Sequence, residues 1–246
     1  MAQHILQNVL WVAPILLQAV VAIVMWVRGL HKRLPYFFSY ATYIVLSNVT
    51  LIGIHSNVKA YFYGYWIQEV LCWALGFAVI YEIYANLLNE YSALQKLGTF
   101  LFWIMALVLV LIALWTAFNV PGSDVSRVLK ALFTLERSVR IVQCGLLVVL
   151  FIFASFFGLS WKNYLFGIAL GFSIFLSMEL AVVAIRAYVG ASLDQLISWL
   201  LLISYNLGVS VWTVYVVKRG RVADLQVLPR TELAAWNAAL QDLLHR

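Results

Sequence analysis

The stretch LQNVLWVAPILLQAVVAIVMWVR, residues 6–28, decides the fold class. Its first charged residue is Arg28, at its very end. An apolar run of roughly 18 residues or more with almost no charge reads as a helix long enough to cross a bilayer. Lipid offers no water to backbone N–H and C=O groups, so a helix is the open-chain form that satisfies them. The same reading recurs at 35–55, 61–88, 97–118, 128–158, 163–189 and 194–217. The expected architecture is all-α: a polytopic integral membrane bundle of seven transmembrane helices over residues 1–217, with a tail over 218–246.

Composition agrees. Of 246 residues, 65% are hydrophobic and only 11% charged, and the mean hydropathy is +0.95. A soluble domain of this size would leave large apolar patches in water. The formal net charge of +6 has no dense basic run interleaved with exposed aromatics, so nucleic acid is not an expected partner. The N-terminal Met1-Ala2-Gln3-His4 lacks the positive flank of a cleavable signal peptide, so the first segment is expected to be retained.

Turn chemistry marks the cuts between spans. Gly29 to Pro35 closes the first span and opens the second, 119–124 reads NVPGSD, and Gly190 separates the last two. Basic residues then set an expected orientation. With the N-terminus outside, the inner side holds Arg28, Lys32, Arg33, Lys96, Lys162, Lys218, Arg219 and Arg221. Lysine and arginine favour the cytoplasmic side, so the C-terminus is expected inside, in a bacterial cytoplasmic membrane. In the tail, Thr231 fits a helix N-cap, and Leu233, Trp236, Leu240, Leu243 and Leu244 share one face. A short amphipathic helix near 231–245 is expected, either on the membrane surface or docking a cytosolic or membrane partner.

Charged groups at membrane depth are costly and raise a functional question by default. Glu69 and Glu82 are 13 positions apart on the third span. At ~1.5 Å per residue that is roughly 20 Å, so at least one lies well inside. An outer constellation is expected from Tyr61, Tyr65 and Glu69 on one face of the third span, Arg137 and Arg140 on the fifth, and Glu179 and Arg186 on the sixth. As structure, these charges would form a salt-bridge network in which each carboxylate takes an arginine. As a site, tyrosines and arginine forks would suit an anionic or amphipathic small ligand. An inner polar site is expected at Glu82 with Asn86, with Arg28, Lys96 or Lys162 as its basic partner.

Other mid-span features have structural readings. Gln18, Ser204 and Asn206 are expected to hydrogen-bond between helices. Pro14 is expected to kink the first helix and free a carbonyl. Gly167 and Gly171 form a GxxxG pair that permits close helix approach, here within the chain. Cys72 and Cys144 are expected to be free thiols. No phosphate-cradling loop, HExxH or nucleophile–base pair occurs, and no metal or cofactor is expected. The seventh span has no internal lysine, which excludes a retinal Schiff base of the microbial-rhodopsin kind.

The layout is similar to that of seven-helix receptors and of the seven-helix input modules of bacterial sensors. The functional expectation is a ligand-sensing or signal-relaying membrane protein with no catalytic domain of its own. The rival expectation is a small-solute or ion transporter, or a subunit of a larger membrane complex.

Overall fold

The computed structural model describes residues 2–87, 124–156, 164–189 and 193–218, and scattered positions between 96 and 115. Among these residues the regular secondary structure is helical, with no strand. Six α-helices are α1 (Ala2–Val27), α2 (Pro35–Ile54), α3 (Val58–Leu87), α4 (Asp124–Phe156), α5 (Tyr164–Val189) and α6 (Asp194–Lys218). A 3-10 turn, Leu30–Lys32, links α1 to α2.

Local chemistry fixes the ends. Gly29 has φ 69°, a left-handed conformation that costs glycine little and stops α1. Pro35 opens α2, where its missing N–H and preset φ do no harm. Asn57 caps α3: its Oδ1 accepts from the Ala60 N–H at 3.2 Å.

Five segments are long and apolar enough to cross a membrane: Leu10–Val27, Pro35–Ile54, Val58–Leu87, Tyr164–Val182 and Gln195–Val217. The chain is thus built as a helical membrane protein. Its exposed apolar side chains, among them Trp11, Leu16, Ile23, Leu46 and Ile52, would be a liability in water and are ordinary facing lipid. Helix α4 is not one of the five. Its first half carries Arg127, Lys130, Glu136, Arg137 and Arg140 before the apolar run from Ile141. The expected fourth span, 97–118, lies largely outside the described residues. Its described positions are helical, and Phe102 packs against Phe77 and Tyr81 of α3. The tail helix expected near 231–245 also lies outside them.

Contacts order the helices. Arg28 Nη1 donates to the Val216 carbonyl at 2.6 Å, so α1 and α6 end side by side. That carbonyl is in the last turn of α6, where orphan acceptors favour a cation. Glu82, near the end of α3, meets the start of α2. Phe151, late in α4, packs against Phe166, early in α5. These termini therefore gather at one end of the bundle, together with Arg28, Lys32, Arg33 and Lys218; this is called the basic end below.

The core runs along the axis through Met25, Phe37, Ile80, Leu147, Phe172 and Trp212. Helices α5 and α6 approach most closely. A Cβ on Gly171 would fall 2.8 Å from the Gly208 carbonyl oxygen and would also strike the Trp212 indole. Trp212 instead lies over Gly171 and donates from Nε1 to the Ile168 carbonyl at 3.0 Å. Gly167 likewise makes room for Tyr215. The GxxxG pair thus serves packing within the chain.

α1 continues through Pro14. Proline cannot donate to the carbonyl four residues back, which belongs to Leu10. That carbonyl accepts from Asn206 Nδ2 of α6 at 3.0 Å.

Candidate functional site

Arg140 on α4 is the centre of the buried polar groups. Its Nε lies 2.6 Å from Glu179 Oε2 on α5, and its Nη2 lies 3.8 Å from Glu69 Oε2 on α3. The Nε approach is off the N–H axis, so this contact is an ion pair rather than an aligned hydrogen bond. The guanidinium also sits 5.6 Å from the Phe175 ring centroid, a cation–π contact. One arginine thus ties three helices together. Glu136, four residues before Arg140, adds its field to the group.

More polar groups line the interior beside the triad. The Tyr40 phenol of α2 lies within electrostatic range of Arg140 and Glu179, and that of Tyr205 within range of Glu179 and Glu69. The Tyr205 hydroxyl donates to Gln18 Oε1 of α1 at 3.1 Å. Gln143, one turn after Arg140, packs against Gly76 and donates from Nε2 to the Trp73 carbonyl at 3.3 Å. The sequence reading found Gln18 but not Tyr40, Gln143 or Phe175. Gln143 left a signal, an amide on the same run as Arg140. The two aromatics left none, since rings at helical spacing are ordinary core.

The expected outer residues separate into three groups. Glu69, Arg140 and Glu179 come together as the ion triad. Tyr61 and Tyr65 share the Glu69 face of α3, 42% and 41% exposed. Arg137 is exposed and stands apart from the triad, and Arg186 is helical with its side chain outside the described residues.

At the expected inner site the Glu82 carboxylate meets backbone: Oε1 accepts from the Tyr36 N–H and Oε2 from the Phe37 N–H, each at 2.9 Å. Those donors are orphans of the first turn of α2, where a carboxylate also meets the positive end of the helix dipole. Proline at position 35 leaves no competing N–H there. Lys162 lies outside the described residues. Asn86 donates to the Glu82 backbone carbonyl at 2.8 Å, a bond within its own helix, so the carboxylate is not its partner. Glu82 is thus a cap from a neighbouring helix.

Between these two polar levels the interior is apolar. Trp212 meets Phe37 edge-on and packs against Phe172 and Tyr40. Both cysteines are free and half-buried. No group of three or more His, Cys, Asp or Glu among the described residues is placed to hold a metal ion.

Fold and site together define a helical membrane-type bundle with a buried arginine–carboxylate triad. Comparison with protein families, with curated proteins and with solved structures finds no match to this chain.

Proposed function

We propose that the chain is a seven-helix sensor or signal-relaying membrane protein that binds a small amphipathic ligand and has no catalytic domain of its own. The observation that carries this reading is the single arginine shared by Glu69 and Glu179 on different helices. A ligand can shift a conformational equilibrium only through interactions that differ between the two states. Competition for one of two carboxylates is such a difference, because it changes which helix Arg140 holds. An anionic head would have to displace a carboxylate from Arg140, so an amphipathic ligand without one fits better.

The relative direction of α3 and α4 supports the seven-span count. Arg140 and Gln143 of α4 meet Glu69 and Trp73 of α3, and Leu146 further on meets Tyr84. The two helices therefore run parallel, and the chain between Leu87 and Asp124 has to travel back along the bundle. The basic end supports a C-terminus in the cytoplasm of a bacterial cell. The relay would then pass to a cytosolic or membrane partner through the tail.

Pull-down of the full chain from mild detergent tests this. A partner that is lost on deleting residues 229–246 is the expected result. Recovery of no tail-dependent partner counts against a relay.

The rival reading is a small-solute or ion carrier, or a subunit of a larger complex. Glu82 toward the basic end and Glu69 away from it favour it. The apolar plug of Phe37, Phe172 and Trp212 between the two levels counts against it. Liposome flux that depends on Glu69 or Glu82 would put the carrier first.

A further inference from the structure

The triad is lopsided. One guanidinium faces two carboxylates, so one negative charge has no matching cation within it. Glu69 is the carboxylate held at the longer distance, and the more exposed of the two at 22% of its side chain against 18% for Glu179. Away from the basic end, the Glu69 face of α3 continues through Tyr65, Phe62, Tyr61 and Val58, all exposed. The α4 charge that acts on both Glu69 and Tyr65 is Glu136; Arg137 acts on neither. Glu179 of α5 also acts on Tyr65, so among the described residues the charged groups acting on Tyr65 are carboxylates.

A second observation concerns the buried side of Glu69. Trp73, 3% exposed, lies beside the Glu69 carboxylate, and its Nε1 has no aligned hydrogen-bond partner. A buried indole N–H without a partner is costly in a low-dielectric interior. A small movement of the Glu69 carboxylate would let that bond close.

We infer that Glu69, with Tyr65 and Tyr61, receives the cationic head of an amphipathic amine. Its alkyl chain packs against the exposed Phe62 ring beside them. A carboxylate beside tyrosine faces recognises an ammonium by charge and by the ring quadrupole. The inference rests on the ligand-sensing reading and names its ligand class.

The test uses the full chain in mild detergent with octyltrimethylammonium, kept below its micellar concentration. Sodium octanoate and sodium chloride at equal ionic strength are the comparators, with Tm and calorimetric binding as readouts. The ammonium should bind saturably and raise Tm, while octanoate and sodium chloride should not. Glu69→Gln should weaken binding by roughly tenfold, about 1.4 kcal/mol. Tyr65→Leu lies on an exposed position and should weaken binding to a smaller degree without disturbing the fold, so it serves if Glu69→Gln fails to fold. Equal binding of octanoate, a sodium chloride effect of the same size, or undiminished binding by both variants would overturn the inference. Failure of the two readings is distinguishable. Amine binding without any tail-dependent partner keeps the site and removes the relay. A tail-dependent partner with no amine binding does the reverse.

Discussion

Asn206 of α6 donates its amide to the Leu10 carbonyl of α1, 3.0 Å away, at the position where Pro14 withholds the helical N–H. The other amide hydrogen goes to the Leu202 carbonyl of its own helix at 2.8 Å. A proline on one helix and an asparagine far along the chain are thus a single structural unit. In lipid, an orphan carbonyl has no water to turn to.

Replacing Asn206 with leucine should therefore destabilise the protein by about 1–3 kcal/mol, the cost of leaving a buried polar group unsatisfied. The diagnostic is a double-mutant cycle. In a Pro14→Ala background the residue-14 N–H returns to Leu10, and Asn206→Leu should cost much less. Tm in mild detergent reads both. Equal costs in the two backgrounds would show that Asn206 does not serve the proline.

The triad makes an asymmetric prediction. Arg140→Met leaves Glu69 and Glu179 facing each other without their cation and should cost about 3–5 kcal/mol. Adding Glu69→Gln and Glu179→Gln to Arg140→Met removes the stranded charges and should restore most of that stability. Melting of the single and triple variants, compared with the parent, decides it. A triple variant no more stable than Arg140→Met would mean the triad contributes more than charge balance.

Gly171→Ala should destabilise by about 1–3 kcal/mol, because the added methyl meets the Gly208 carbonyl and the Trp212 ring together. Backbone cannot step aside as a flexible side chain can. Gly145 is the control: it is exposed on α4 with nothing within 4 Å of a built Cβ, so alanine there should be neutral or better. Thermal melts of both variants give the comparison, and similar melting of the two would contradict the close α5–α6 contact.

Much of the architecture was legible because lipid permits few options. Length and apolarity alone mark Leu10–Val27 or Gln195–Val217 as spanning segments. Glycine and proline at 29 and 35 mark the first turn, for reasons of φ alone. Of the expected outer residues, Glu69, Arg140 and Glu179 meet, since each charge had few ways to be matched at depth. The Tyr36 and Phe37 N–H donors at Glu82 were not read from the sequence. A charge on α3 suggests an opposite charge, but backbone N–H groups of another helix leave no mark in composition. The Pro14–Asn206 unit was half legible: the freed carbonyl follows from proline chemistry, whereas its donor depends on which helix packs there. Tyr40, Tyr205 and Phe175 were hidden for the same reason, as tertiary neighbours of Arg140 rather than local ones.

Glu82 should behave as a helix cap. Glu82→Leu removes both acceptors from the Tyr36 and Phe37 N–H groups and should cost about 1.5–3 kcal/mol. Glu82→Gln keeps one acceptor oxygen and should cost less. The loss should be local, so hydrogen exchange at the start of α2 should speed up while the triad helices keep their protection. Uniform loss of protection would argue instead for a global role of the carboxylate.

The parallel course of α3 and α4 yields a topology prediction. From Glu69 to Tyr84 is roughly 22 Å along α3, and α4 covers the same direction between Arg140 and Leu146. Leu87 therefore ends at the basic end, whereas Asp124 begins at the other. Single cysteines at Arg33, Lys59 and Ser123, placed in a Cys72→Ser, Cys144→Ser background, should report this with a membrane-impermeant thiol reagent. In intact cells Lys59→Cys and Ser123→Cys should label, and Arg33→Cys should label only after the membrane is opened. Ser123→Cys labelling with Arg33→Cys would put both ends of the intervening chain on one side and remove a span. Labelling of Arg33→Cys alone in intact cells would keep the span count and invert the orientation, because the positive residues would then lie outside.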